Sequence, residues 1–433
     1  MRLPLLSSLL AVALLAACNS GDGGDEPEPK PRPSPAITRA ELNDHLEALQ
    51  RIADESDGNR SAGTPGYDAS VDYVAARLRD AGWKVTRQGV PFTYFRLDSA
   101  SLTVDGRELT RGKQFQVLSY SGSGRASGTL RAAGAGCSQG DFAALRPGDI
   151  PLVDRGICFF RVKAQNAQRA GARALVVYES VATRRGVPSG TLAIPGIRIP
   201  VVVVSTRALG DSGDGDPAEV TVDAESRRGR TENVIAETPG GDSRRIVMAG
   251  GHLDSVAGGP GINDNGSGVS TLIEAAEAVG PKPPGARVRL AFWAAEELGL
   301  LGSRHYVNSL DGAEKRRIAA YVNLDMVGSP NAVPELYADG DRALGRVLQR
   351  AYGPKLGEVA AGQSSDHALF KAAGIPINGL YTGSSEKGPG GRPRDACYHL
   401  ACDTAGNVDR AVLLRMARAT AEALEKLSAR YAK

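Results

Sequence analysis

From residue 244 onward, short apolar runs of strand length alternate with segments of helical periodicity, and no other feature of the chain limits its fold as strongly. Strands are predicted at 246–249, 288–294, 319–325 and 376–381, with helices at 269–279, 302–310 and 366–373. A long amphipathic helix is predicted from Val408 to about Tyr431. Such alternation implies a doubly wound, mostly parallel α/β sheet, in which ligands bind beyond the carboxyl ends of the strands. Two helical patterns at 39–52 and 67–81, the second stopped by Gly82, and a strand at 83–88 open the same domain upstream.

Between residues 101 and 222 the texture changes to short apolar runs, among them 150–153 and 174–178, separated by Gly and Pro. This reads as a small β-rich domain inserted into the first. Residues 19–36 carry almost nothing that could enter a core and are expected to form a tether. The first 17 residues combine Arg2, an apolar run too short to span a bilayer permanently, and small residues before Cys18. Leu15-Ala16-Ala17-Cys18 resembles a bacterial lipoprotein signal, which would leave a lipid on Cys18 and anchor the protein at the cell envelope. An ordinary signal peptide cut near Ala17 is the alternative, and both imply export. The expected division is 1–17 signal, 18–36 tether, 37–100 and 223–433 main domain, and 101–222 insert.

Net charge is +3 with both signs interspersed, so no basic stripe exists for a phosphate backbone and nucleic acid is not an expected partner. Of five cysteines, setting Cys18 aside leaves Cys137, Cys158, Cys397 and Cys402. That even remainder points to two local disulfides, which an oxidising export compartment permits, with four buried thiols as the alternative.

Polar residues recur where strands end. His252 follows an apolar strand, and Asp254 is placed to accept its second imidazole N–H. Asp264 lies in the glycine-dense loop 261–268 before a helix, where it serves either as a cation ligand or as a helix cap. The strand at 288–294 ends abruptly in Glu296-Glu297, adjacent acids that point in different directions and can divide the roles of ligand and base. Asp325 ends another apolar strand, where burying an unpaired carboxylate costs several kcal/mol, and either a bound cation or a buried salt bridge would compensate it. His399 sits inside Cys397-Tyr398-His399-Leu400-Ala401-Cys402. The two cysteines could join it as zinc ligands, but one Cys pair with one His falls short of a closed structural site. Nitrogen and oxygen donors from separate strand ends suit zinc better than calcium.

In the order His252, Asp264, Glu296-Glu297, Asp325, His399, the chain resembles the M28 family of metallo-aminopeptidases over most of 246–403. The segment 148–160 with Lys163 through Ala172 resembles the protease-associated, or PA, domain. These resemblances imply a zinc-exopeptidase fold with an inserted PA domain and two zinc ions. One ion would be held by His252, Asp264 and Asp325, the other by Asp264, Glu297 and His399. They also imply a metal-bridged hydroxide as nucleophile, Glu296 as general base and Tyr398 as a donor to the tetrahedral intermediate. The substrates would be peptides or proteins and the enzyme a monomer. Some members carry an arginine before Ser365-Asp366-His367, where this chain has Ser364. Rival readings are a carboxypeptidase of the same superfamily, a glutaminyl cyclase, and a noncatalytic PA-domain binding protein.

Overall fold

The computed structural model describes residues 37–156, 158–179 and 190–432, so the expected signal, Cys18 and the tether lie outside the described residues. Helices α1 (Arg39–Asp54) and α2 (Pro65–Asp80) start on threonine caps. Thr38 exchanges hydrogen bonds with Glu41 in a capping box, and Thr64 accepts the N–H of Tyr67. Then come β1 (Lys84–Val104), β2 (Arg107–Leu109), β3 (Phe115–Val117), β4 (Gly124–Ala132), β5 (Ile150–Asp154), α3 (Phe160–Arg169), β6 (Leu175–Glu179), β7 (Val201–Ser205) and the short α4 (Thr206–Leu209). Strand β8 (Pro217–Glu237) leads to β9 (Asp242–His252), α5 (Gly266–Val279), β10 (Ala286–Trp293), α6 (Leu301–Ser309), α7 (Gly312–Arg317) and β11 (Ile318–Leu324). The chain closes with β12 (Glu335–Tyr337), α8 (Arg342–Tyr352), β13 (Gly357–Val359), α9 (His367–Ala372), β14 (Ile377–Tyr381) and α10 (Arg410–Arg430).

The main sheet runs β13-β12-β14-β11-β9-β10-β8. Strands β14, β11, β9 and β10 are mutually parallel, whereas β12 runs antiparallel to β14 and β8 antiparallel to β10. Side-chain alternation explains why both faces are covered. From β9, Val247 and Ala249 join a core built with α1, α2, α5, α8 and α10, while Ile246 and Met248 join one built with Tyr306 of α6 and Phe370 of α9. The rings of Tyr321 and Phe370 stack at 3.8 Å on that second face. Helix α5 is buried at every position except Glu277, so it fills the interior and shows no polar face.

The strand predicted at 83–88 is the start of a much longer one. Strand β1 continues to Val104 and pairs antiparallel with β8 from Lys84↔Glu237 to Val104↔Ala218. The boundaries expected at 100/101 and 222/223 therefore fall inside paired strands. One end of β8 pairs with β10 of the main sheet and the other with β4, which begins a second sheet continuing through β5, β6, β7 and β3. Between the two cores the ribbon is solvated: Glu225, Ser226, Arg227 and Arg228 are exposed, and Arg96 and Arg227 both pair with Glu225. Cys137 is bonded to Cys158 and Cys397 to Cys402. That pairing removes the latter two from the pool of free zinc ligands.

Candidate metal centre

Because β9, β10 and β11 are parallel and in register, with Trp293 beside His252, their carboxyl ends share one edge. His252 is the last residue of β9, and Asp325 directly follows β11. Asp264 lies between β9 and α5. Its neighbour Asn265 is the residue that caps α5, accepting the N–H of Gly268, so the capping role considered for Asp264 belongs one residue on. The Asn265 amide also donates to the Leu324 carbonyl at 2.7 Å, tying this loop to the end of β11.

Glu296 and Glu297 are turned out of β10 by Ala295, which adopts φ +53°. His252 Nδ1 meets Asp254 twice: its hydrogen bond goes to the Asp254 backbone carbonyl at 3.0 Å, and the Asp254 carboxylate, the partner expected from the sequence, stands 3.6 Å from the same nitrogen. That carboxylate also accepts the backbone N–H groups of Glu296 and Glu297 at 3.0 and 3.4 Å, one on each oxygen.

The other ring nitrogen of His252, Nε2, faces Asp264 Oδ1 at 3.1 Å and Asp325 Oδ1 at 3.3 Å. The second oxygen of Asp264 faces a different imidazole, His399 Nε2, at 3.1 Å, and Glu297 Oε2 lies 3.2 Å from that same nitrogen. Two triads of donor atoms result, His252–Asp264–Asp325 and Asp264–Glu297–His399, each set within 4.8 Å. Glu296 enters a third grouping with His252 and Glu297.

The model of peptidase family M28 matches residues 233–424, and that of the PA domain matches 126–212. A probable lipoprotein aminopeptidase of Mycobacterium tuberculosis is 39% identical over 411 residues, covering 85% of this chain and 81% of its own. An aminopeptidase of Pseudomonas aeruginosa is 37% identical over 413 residues, covering 85% and 77%. The chain belongs to peptidase family M28. The crystal structure of a zinc aminopeptidase from Bacillus subtilis superposes with a TM-score of 0.78 at 28% identity, covering 93% of this chain and 98% of that one. A glutaminyl cyclase from Porphyromonas gingivalis has a TM-score of 0.50 at 17% identity, a likeness of fold alone.

Electrostatics of the M28 centre favour a cation. Burial opposes charge on His399, yet the carboxylates of Asp264 and Glu297 outweigh it and hold the imidazole up at about 10. Burial likewise opposes charge on His252, and Asp325 and Glu296 push it well above the usual range. Burial, followed by the charge of Asp264, pushes Glu297 up to about 7. Burial also raises Glu296 well above a normal carboxylate, with His252 opposing and Glu297 and Asp325 adding to it. Glu297 Oε1 is buried with no hydrogen-bond partner. Protons on the two imidazoles thus offset part of the negative charge of these closely set carboxylates, and a zinc ion with His and carboxylate donors fits the same positions.

The M28 centre lies on the wall of a cavity of about 600 Å³, whose lining includes Tyr398, Met326, Tyr337, Tyr381, and Thr191 and Ala193 from the insert. Glu386 and Arg394, which begin and end a loop rich in Gly and Pro, line it too, and Arg394 pairs with Glu335. The Tyr398 ring stacks on His399 at 3.8 Å, and burial pushes its phenol well above the ordinary value. His399 itself adopts φ +59°. Its loop is pinned from both sides. The Asp403 carboxylate accepts the N–H groups of Asn263 and Asp264 at 2.9 and 3.0 Å. Asp395 accepts the Asn263 amide at 2.7 Å and the Cys397 N–H at 2.7 Å.

The five expected ligands, His252, Asp264, Glu297, Asp325 and His399, together with Glu296 and Tyr398, all line this one cavity. Asp395 and Asp403 were not singled out, although their positions flanking the Cys397–Cys402 pair were the available signal. Closing so short a disulfide loop is worth about 2 kcal/mol. The double variant Cys397→Ser/Cys402→Ser is expected to lose that amount in denaturant unfolding and to bind zinc more weakly. Gly302 packs just as closely behind the two glutamates: an added Cβ would lie 2.4 Å from the Ala294 carbonyl oxygen and 2.3 Å from Asn233 Oδ1. Gly302→Ala is expected to cost about 1–3 kcal/mol in the same measurement.

Proposed function

We propose that this M28 peptidase is an exported zinc aminopeptidase that hydrolyses the first peptide bond of peptides, using two zinc ions per chain. Metal site 1 is His252, Asp264 and Asp325, and metal site 2 is Asp264, Glu297 and His399. The observation that carries this reading is that the two carboxylate oxygens of Asp264 face two different histidines at 3.1 Å each. This arrangement supports Asp264 as a ligand common to both sites.

Zinc held there supplies Lewis acidity, polarising the scissile carbonyl and lowering the pKa of a water towards 7. Glu296, held by the backbone contact to Asp254, takes the proton of the attacking water and passes it to the departing amine nitrogen. The Tyr398 phenol, kept protonated by burial, donates to the oxyanion of the tetrahedral intermediate. Carboxylates of the second site receive the substrate's free α-amine, which limits cleavage to the first residue.

Export is supported by two disulfides in the described part, and a lipid on Cys18 by the relative named a probable lipoprotein aminopeptidase. The division into a peptidase part, 37–100 and 223–433, and a PA domain, 101–222, belongs to the same proposal, as does a monomeric enzyme. The purified protein is expected to release leucine from a leucyl chromogenic amide, to ignore the N-acetylated analogue, to stop with a chelator and to recover with zinc. Absence of turnover across a panel of unblocked amides, with zinc bound, would refute the aminopeptidase reading.

A further inference from the structure

Arg60 is an uncommon feature near the centre: a guanidinium with no exposed surface and no carboxylate in hydrogen-bonding contact. It lies between α1 and α2, outside the 233–424 stretch matched by the M28 family model. Its Nε donates to the Pro260 carbonyl at 2.9 Å, Nη2 to the Gly261 carbonyl at 2.7 Å, and Nη1 to the Leu253 carbonyl. Its main chain grips the same loop, since the Arg60 N–H donates to Ser255 Oγ at 2.9 Å and its carbonyl accepts the Ser255 N–H at 3.3 Å.

The gripped segment, 253–261, joins His252 to the turn that carries Asp264. It has an irregular path, with Gly261 at φ +63° and room for no Cβ there, since one would lie 2.4 Å from the Asp264 carbonyl oxygen. Buried carbonyls outside a helix or sheet need donors from elsewhere. A planar fork satisfies both ends of the segment at once, which a single ammonium cannot do. Burial lowers the guanidinium to about 10, and the charges of Asp254, Asp403 and Asp264 oppose that from a distance.

We infer that Arg60 is a positioning residue for zinc, fixing the separation of His252 and Asp264 by clamping both ends of the loop between them. This rests on the proposal that His252 and Asp264 are ligands. Residues that orient metal ligands typically contribute about 10–100-fold to affinity. Arg60→Lys keeps the charge and loses the fork. In competition with a chromophoric chelator, the folded variant is expected to bind zinc at least about tenfold more weakly than wild type. Its cobalt-substituted form is expected to show an altered visible spectrum.

Leu78→Ala, in the fully buried core of α2, serves as the control. It should lower the melting temperature while leaving zinc affinity and the cobalt spectrum as in wild type. Should Arg60→Lys fail to fold, Ser255→Ala removes only the hydroxyl that accepts the Arg60 N–H and is expected to weaken zinc binding measurably. Wild-type zinc affinity and cobalt spectrum in folded Arg60→Lys, or in Ser255→Ala where the first does not fold, would overturn the inference. If the wild-type protein itself binds no zinc, the ligand assignment fails instead.

Discussion

Glu296→Gln is expected to bind zinc as the wild type does and to lose at least about a hundredfold in kcat on a leucyl amide, the scale of a positioned general base. The change preserves shape and the backbone N–H bonded to Asp254 at 3.0 Å, so the loop that presents Glu297 should be undisturbed. What disappears is a carboxylate able to accept a proton. Since Glu296 lies in neither triad that contains Asp264, its loss should leave KM nearly unaltered. If kcat stayed near the wild-type value with zinc content unchanged, Glu296 would have no part in proton transfer. Loss of zinc would instead assign it to the ligands.

A second large effect is expected from separating the two sites by substitution. Asp264→Ala removes the only carboxylate shared by the two triads, and this variant should lose both ions and all measurable turnover. Asp325→Ala removes a donor from one triad only and should retain one zinc, read by elemental analysis of dialysed protein. Zinc should also stabilise the fold, because each site bound at a thousand times its dissociation constant adds about 4 kcal/mol. The melting temperature of Asp264→Ala should therefore be insensitive to zinc, and that of Asp325→Ala should rise less than that of the wild type. Equal metal content in the two variants would contradict the sharing of Asp264.

The candidate ligands were legible because a doubly wound sheet delivers its chemistry at strand ends, and His252, Glu297 and Asp325 each follow an apolar run that announces a strand. The stop of α2 at Gly82 was legible for a similarly local reason, whereas its start was placed at Tyr67 and lies at Pro65, after the Thr64 cap. The long ribbon was not. Strand β8 passes through Glu225, Ser226, Arg227 and Arg228 with both faces in water, so neither apolar alternation nor a buried run marks it, and Pro91 and Asp98 obscure β1 in the same way. The segment stays extended because β1 and β8 pair along its length, with Asp98 bulged out between Leu97 and Ser99, which is information about the partner and not about the segment.

The same reason hid the residues that brace the centre. Arg60 is a lone cation between two helices in the sequence, and its worth depends on carbonyls that lie 193 to 201 residues away in the chain. Asp254 was legible as a neighbour of His252 but not as the acceptor for Glu296 and Glu297, because their N–H groups reach it only once β9 and β10 are side by side.

The central claim is that Asp264 stands between two zinc ions, and anomalous diffraction at the zinc absorption edge from crystals of the zinc-loaded protein tests it most directly. Two anomalous peaks are predicted, one against His252 and Asp325 and the other against Glu297 and His399, with Asp264 touching both. A single peak in fully loaded protein, or two peaks of which only one contacts Asp264, would contradict the account.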